Sequence, residues 1–211
     1  MRRINGKYLH LGLIEAIHEV TGVILQKQVL IILILSSALL AVGVVAPRTA
    51  SAQTLNDCFQ ATLETSSDKA IAVCGQVIAS GTLQGLDLAI AFNNRGLGFM
   101  KNKIPDRAMS DFNEAIRISP QYPYPYDNRG DLWRDKGELD RAIADYNKAI
   151  QIDPTFSSAY LNRGITYQRM GNFRSARADY EAVLTLPDKR PIDKWAHKQA
   201  RKRLSELGDA R

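Results

Sequence analysis

Apolar residues recur along residues 89–187 with the period of an α-helix, in blocks that short polar segments separate. Phe92 and Phe99 fall on one face of a predicted helix, and Ala108 and Phe112 fall on one face of the next. The pattern therefore predicts pairs of short amphipathic helices joined by tight turns.

The same residue types return every 34 positions. The tripeptide Asn-Arg-Gly begins at Asn94, Asn128 and Asn162, and self-similarity at such a period indicates a repeat architecture. Pro120 and Pro154 close the first two copies. Further columns keep the spacing: Phe92, Tyr126 and Tyr160; Phe99, Trp133 and Tyr167; Ala108, Ala142 and Ala176; Phe112, Tyr146 and Tyr180; Ile116, Ile150 and Leu184.

This order of aromatic, glycine, aromatic, small, aromatic, small and proline residues resembles the tetratricopeptide repeat. The third copy departs from it at Val183, which replaces the later small residue, and at Pro187, which comes one residue early. The resemblance implies an all-α fold, a tetratricopeptide-repeat solenoid of antiparallel helix pairs, with repeats at 89–122, 123–156 and 157–190.

Both ends of the repeat array look irregular. Residues 53–88 resemble a degenerate first repeat with an insertion, because Asp68–Ile71 aligns with Asp106–Met109 at an offset of 38 residues. Residues 191–211 are expected to form a capping helix and tail, which a helical stack needs at an open end. The predicted apolar stripe of this helix is Ile192, Trp195, Ala196, Ala200, Leu204 and Leu207.

Glycine positions predict close contacts and turns. Gly96 is expected to be small because two helix backbones approach each other there. Gly137 and Gly171 fall at helix ends, where a left-handed residue is common. Lys103 replaces the glycine in the first full repeat, so we expect that turn to be strained or differently shaped.

Residues 1–52 have the order of a secretory signal peptide. The segment 29–46 is apolar and uncharged, a basic residue precedes it, and Ala50 and Ala52 form an A-x-A cleavage pattern. We expect cleavage near Ala52 and delivery to the periplasm or the medium. The alternative is an uncleaved helix that anchors the protein in the inner membrane, facing the periplasm. Residues 1–28 are long for the start of a signal peptide, which favours a translation start further along.

Composition and motifs narrow the function classes. The formal net charge of +6 is too small to argue for nucleic-acid binding by itself. No nucleophile–base set or metal-ligand cluster is visible, so we expect no enzyme activity, metal or cofactor. The S-x-x-K match at Ser66–Lys69 lacks its partner motifs and is more simply a helix cap. His197 is placed on a polar helix face.

Three polar columns are unusually regular. The arginine column either pairs with the aspartate column within each repeat or forms a basic ladder for an acidic ligand. The asparagine column either forms hydrogen bonds between repeats or faces a ligand. The expected pairs are Arg95 with Asp111, Arg129 with Asp145 and Arg163 with Asp179, and the asparagines are Asn94, Asn128 and Asn162.

In the family that this chain resembles, the first helices of the repeats line a concave groove that binds peptides or protein surfaces. Only the asparagine column fits the subset that clamps a C-terminal carboxylate, so binding of chaperone tails is not expected. The tyrosines of residues 122–126 either rim the groove or pack between repeats. The resemblance implies groove side chains at Ile90, Asn93, Leu97, Met100, Tyr124, Asp127, Asp131, Arg134, Ser158, Leu161, Ile165 and Gln168.

The resemblance also implies a disulfide between Cys58 and Cys74. At the 38-residue offset these cysteines take the places of Gly96 and Phe112, which face each other in the family fold. An exported protein would meet the oxidising compartment that such a bond needs. The alternative is a pair of small buried thiols.

The last predicted helix is basic. Its cations either form the solvated outer face of a cap or contact an anionic membrane or an acidic partner. The residues concerned are Lys194, His197, Lys198, Arg201, Lys202 and Arg203.

Together these features predict a non-catalytic protein–protein interaction scaffold of the cell envelope. Its partner is an unknown protein or peptide, and membrane contact is expected only if the N-terminal helix is retained. The alternative is a membrane-anchored assembly factor with the same repeat domain.

Overall fold

The computed structural model describes residues 50–63 and 66–209, and the predicted apolar segment 29–46 lies outside them. The described residues are almost entirely helical, which confirms the all-α fold. None of their helices is both long and apolar enough to cross a membrane. The helices are α1 (Ala50–Leu63), α2 (Ser67–Ala79), α3 (Gly85–Lys101), α4 (Pro105–Ile118), α5 (Tyr124–Asp135), α6 (Leu139–Ile152), α7 (Ser157–Arg169), α8 (Phe173–Thr185) and α9 (Pro191–Asp209).

Consecutive helices pack as pairs, and the pairs stack into a solenoid. Helix α3 packs against α4, α5 against α6, and α7 against α8, and the first helix of each pair also contacts both helices of the pair before it. Helix α9 packs against α8 and α7 in the same way. It therefore occupies the place that the first helix of a further repeat would take.

An aromatic ring against a glycine holds each of the three regular pairs together. A Cβ atom added to Gly130 would lie only 2.6 Å from the ring of Tyr146, and one added to Gly96 would lie 2.6 Å from the ring of Phe112. The expectation that two backbones approach each other at Gly96 is therefore corrected. A side chain on the second helix fills the space that the missing Cβ leaves on the first.

A disulfide joins α1 to α2 in the degenerate first repeat, as the sequence predicts. Cys58 and Cys74 are bonded, with their Cα atoms 4.7 Å apart, and both side chains are fully buried. The bond stands where Gly96 touches Phe112 in the next repeat. A covalent link thus replaces the ring-on-glycine contact in the repeat that lacks it.

The turn at Lys103 keeps the shape of the glycine turns. Gly137 and Gly171 have φ values of 82° and 76°, and Lys103 has a φ of 57°. In each turn a backbone N–H reaches back to a carbonyl in the last helical turn, as from Ile104 to Phe99 at 2.9 Å. Lys103 is therefore held in the left-handed region that a residue with a Cβ adopts only at a cost.

Lys103→Gly is expected to stabilise the protein by about 1 kcal/mol, because it removes the left-handed penalty and Lys103 is exposed. The free energy of unfolding in urea measures the change. Gly137→Ala is the matched control at the same turn of the next repeat, and it should destabilise by a similar amount. A Lys103→Gly protein no more stable than the parent would contradict the proposed strain.

The capping helix is attached through a buried carboxylate near its first turn. Asp193 accepts a hydrogen bond of 2.7 Å from the Ser157 hydroxyl of α7, and both oxygens accept from the Arg190 guanidinium, at 2.8 and 2.9 Å. The Arg190 hydrogen bonds lower the pKa of Asp193 to about 2. The cap is therefore attached by its N-terminal end as well as by its apolar face.

The apolar stripe of α9 is narrower than the sequence predicts. Ala196, Ala200 and Leu207 are buried against the last repeat, but Ile192 and Trp195 are 44% and 48% exposed. The prediction that these two residues pack inward was wrong. Since α9 has no second helix of its own, nothing in the described part of the chain covers this side of it.

Candidate functional site

Seven of the predicted groove residues form a partly exposed strip across α3, α5 and α7. It is apolar on α3, charged on α5, and mixed on α7. We call this strip the central face, and its members are Ile90, Leu97, Met100, Asp131, Arg134, Ile165 and Gln168.

Four predicted groove residues are buried instead. Asn93, Asp127 and Ser158 are nearly inaccessible, and Leu161 is fully buried in a core that includes Tyr180 and the alanines of α9. Helix α9 packs on this side of α7, which explains the burial of Leu161. The prediction that Leu161 lines an open groove was therefore wrong.

Tyr124, the remaining predicted groove residue, packs at the junction of repeats. Its ring centroid lies 5.3 Å from that of Tyr122 and 4.9 Å from that of Phe156, and its hydroxyl accepts a 3.3 Å hydrogen bond from Arg190. Its side chain is still partly exposed. These contacts agree with packing between repeats, and the 38% exposure of Tyr124 also agrees with a place at the rim of a groove.

A charged network occupies the middle of the central face. Arg134 Nη1 lies 2.8 Å from Asp131 Oδ1, and the same oxygen accepts a 2.8 Å hydrogen bond from the Tyr146 hydroxyl. Arg134 Nη1 also donates to Asn162 Oδ1 at 3.4 Å. Below them the buried Asp127 accepts from Asn162 Nδ2 at 3.0 Å. The network joins α5, α6 and α7 through side chains alone.

Burial raises the pKa of both carboxylates in this network. Burial, reinforced by repulsion from Asp131, raises the pKa of Asp127 to about 8. Burial also raises the pKa of Asp131, although Arg134 and Tyr146 oppose the shift. One arginine therefore lies between two carboxylates, the buried Asp127 and the 22% exposed Asp131.

The polarity of the central-face side chains matches that of the aromatic residue that lies behind them on the second helix of each repeat. Phe112 packs behind the apolar Leu97 and Met100 of α3. Tyr146 has a hydroxyl that reaches Asp131, and Tyr180 donates to Gln168 Oε1 at 2.7 Å. The change from Phe112 to Tyr146 and Tyr180 in this column is the sequence signal that could have predicted the polar network.

The asparagine column forms hydrogen bonds between repeats. Asn128 Nδ2 donates to Asn93 Oδ1 at 2.8 Å, and Asn162 Nδ2 donates to Asp127. Asn94 Nδ2 is buried and finds no hydrogen-bond partner among the described residues. In the first repeat, Leu55 takes the place of Asn93 by the 38-residue offset. The side chain of Leu55 has no hydrogen-bond acceptor, so Asn94 lacks the partner that Asn128 finds in Asn93.

The arginine column forms an ion pair within each regular repeat. Arg129 Nε and Nη2 donate to the two oxygens of Asp145 at 2.8 and 2.7 Å. The remaining nitrogen, Nη1, donates to Asn113 of the preceding repeat at 2.7 Å, and the guanidinium lies over the Tyr126 ring. The equivalent two-point pairs join Arg95 to Asp111 and Arg163 to Asp179.

Because of these contacts, the guanidinium groups of the arginine column have few free N–H groups with which to bind a ligand. The hydrogen bonds to Asp145 raise the pKa of Arg129, which stays charged. Because its guanidinium is engaged by a carboxylate, an amide and an aromatic ring, we assign the column a structural role. The alternative of a basic ladder for an acidic ligand finds no support in this geometry.

His197 is buried, contrary to its predicted place on a polar helix face. Its Nε2 atom has no hydrogen-bond partner among the described residues. Helix α9 contacts both α7 and α8. Its buried face is therefore wide enough to include His197. The part of the chain that the structure describes contains no group of three or more His, Cys, Asp or Glu side chains placed to hold a metal ion.

Two family models match the later repeats. Residues 130–171 match the model described as TPR repeat, and residues 157–189 match the model described as tetratricopeptide repeat. No curated protein sequence matches the chain.

Several solved structures share the fold. The first TPR of Spaghetti (RPAP3), bound to the HSP90 peptide SRMEEVD, superimposes with a TM-score of 0.53 and 21% identity, covering 60% of this chain and 97% of that one. MamA superimposes with a TM-score of 0.55 and 20% identity, covering 74% and 84%. A tetratricopeptide repeat protein from Parabacteroides merdae gives 0.55 and 16%, covering 76% and 64%. At these identities the similarity shows the fold alone.

Proposed function

We propose that this chain, a tetratricopeptide-repeat protein, is a non-catalytic scaffold that binds a peptide or protein segment on its central face. The observation that carries the proposal is the central face itself. Successive first helices present partly exposed apolar side chains on both sides of the Asp131–Arg134 pair. Apolar contact area with a few placed polar groups is the usual composition of a binding site.

The composition of the central face also constrains the ligand. The Spaghetti domain was solved with the peptide SRMEEVD, which is rich in carboxylates. The central face of this chain has no lysine and a single arginine, Arg134, which is already engaged by Asp131. The face therefore favours a peptide that offers apolar side chains to Leu97 and Ile165 and a hydrogen-bond donor to Asp131.

Leu97→Asp combined with Ile165→Asp is expected to weaken partner binding by roughly thirtyfold, the effect of losing one interface hot spot. Crosslinking followed by recovery of the bound partner from an envelope extract measures the loss. Both residues are partly exposed, so the fold should survive, and the thermal transition checks that it does.

Ile104→Asp combined with Phe173→Asp is the matched control. These exposed apolar residues lie at the turns between paired helices and are not members of the central face. They should leave recovery unchanged. Equal loss in both double variants, or loss only in the control, would place the binding site elsewhere.

We further propose that the repeat domain is exported and acts in the periplasm. The signal-like order of residues 1–52 and the disulfide of the first repeat support this location, because disulfides persist in oxidising compartments. The alternative, a membrane-anchored assembly factor, keeps segment 29–46. N-terminal sequencing of the mature protein separates the two, since cleavage leaves a chain that begins near Gln53.

A further inference from the structure

The capping helix α9 turns a basic and aromatic side to solvent. Trp195 is 48% exposed, and Lys194 and Lys198 beside it are exposed as well. Residues three and four apart share a helix face, so Trp195, Lys198 and Lys202 form one continuous stripe. This stripe points away from the alanines that pack against α7 and α8.

The cations of this stripe and its borders are largely free of acidic partners. Within the described residues, Lys194, Lys198 and Arg201 take part in no salt bridge, and Lys202 has only a 3.8 Å contact with Glu206. The arginine column inside the repeats differs sharply, since Arg95, Arg129 and Arg163 are each held by an aspartate. The positive charge of α9 is therefore available to an external anion.

Solvation of a cap does not account for the aromatic residue. The end of a helical stack needs a polar outer face, and lysines alone would supply one. Trp195 and Ile192 instead leave apolar surface in water next to those lysines. Tryptophan beside lysine is the pairing that suits the boundary between lipid headgroups and acyl chains, where the ring is partly buried and the indole N–H can form hydrogen bonds.

We propose that the outer side of α9 binds the surface of an anionic lipid bilayer. Trp195 enters the headgroup region, and the lysines extend their charged ends to lipid phosphates while their aliphatic stems cover the ring. A single convex helix suits a flat lipid surface, whereas a folded acidic partner would need a matching shape. The contact is separate from the central face and does not depend on whether segment 29–46 is retained.

The emission of Trp195 tests the proposal directly. The chain has two tryptophans, so Trp133→Phe leaves Trp195 as the reporter in the full-length protein. Its emission should shift to shorter wavelength on vesicles of phosphatidylcholine mixed equally with phosphatidylglycerol, and not on phosphatidylcholine alone. The basic N-terminal residues can also favour anionic vesicles. The emission of Trp195 nevertheless reports the surroundings of α9 itself, where this residue lies.

Charge reversal then identifies the side chains. Lys198→Glu combined with Arg201→Glu should weaken binding to the anionic vesicles at least about tenfold, since each basic residue near such a surface accounts for about a fivefold change. Arg107→Glu combined with Arg174→Glu makes the same change of charge at exposed positions on other helices, and it should have little effect. All four positions are exposed, and circular dichroism checks the fold.

Three outcomes would overturn the proposal. The first is a shift of Trp195 emission that is absent or equal on the two kinds of vesicle. The second is an equal loss of binding in the control variant, which would make the attraction one of net charge alone. The third is a blue shift of Trp195 with polyglutamate that matches the shift on anionic vesicles, which would favour an acidic protein as the partner.

Discussion

Arg129→Ala should lower the free energy of unfolding by about 3 kcal/mol, the scale of removing one partner of a buried ion pair. The Asp145 side chain is only 9% exposed and the Arg129 side chain is 22% exposed. The substitution leaves a buried carboxylate without its cation. It also removes the hydrogen bond to Asn113 that links this repeat to the one before.

Asp145→Ala should cost less, about 2 kcal/mol, because the more exposed Arg129 can turn toward water and keep its contact with Asn113. The double variant should cost less than the sum of the two, since neither group is then left unpaired. Urea denaturation of the four proteins measures the coupling. Strict additivity would mean that the two side chains stabilise the fold independently.

An exposed pair provides the control for this cycle. Arg117 and Glu114 form an equally short contact on α4, but their side chains are 71% and 35% exposed. Arg117→Ala should leave the free energy of unfolding nearly unchanged, because water screens and solvates both groups. A loss as large as that of Arg129→Ala would show that burial does not determine the effect.

Loss of the disulfide should destabilise the first repeat by about 3 kcal/mol, the chain-entropy value for a closed loop of this size. Reduction of the native protein breaks only the bond between Cys58 and Cys74, whose positions are 16 residues apart. Urea denaturation with and without reductant measures the difference. Stability unchanged by reductant would contradict a structural role for the bond.

The double variant Cys58→Ala with Cys74→Ala separates the bond from its packing. Both cysteines are fully buried, so the variant should be less stable than the reduced native protein by the packing of two sulfur atoms. Hydrogen exchange should show the loss mainly in α1 and α2, because each repeat of a solenoid contacts only its neighbours. Loss of protection spread evenly to α7 and α8 would contradict this local effect.

Features that repeat along the chain were accessible from the sequence. The 34-residue spacing places each arginine and aspartate column at a constant position on a helix pair, and one known pair geometry then applies to every copy. The same reasoning put Cys58 opposite Cys74, because those positions align with Gly96 and Phe112. In a repeat protein, residues at equivalent positions therefore have the same expected neighbours within each helix pair.

Features at the ends of the array were not accessible in this way. Helix α9 contains no copy of the repeat motif. Its pattern of apolar residues therefore did not indicate which of them would pack against the last repeat. The structure buries His197 and leaves Trp195 half exposed, the reverse of what the sequence pattern suggests. It also buries Leu161, whose counterpart Asp127 takes part in a polar network.

The helix pairs and the stacking period therefore follow from residue spacing alone. The disulfide and the arginine–aspartate pairs also needed the helix-pair geometry that the family resemblance implies, and free thiols and a basic ladder were open alternatives until the structure showed the contacts. Only the tertiary structure decided which side chains stay accessible on the central face and on α9. Accessibility depends on what the neighbouring repeat or the cap covers, and those contacts join residues about 35 positions apart, such as Asn162 and Asp127. Side chains at equivalent positions can therefore have opposite environments when their neighbours differ.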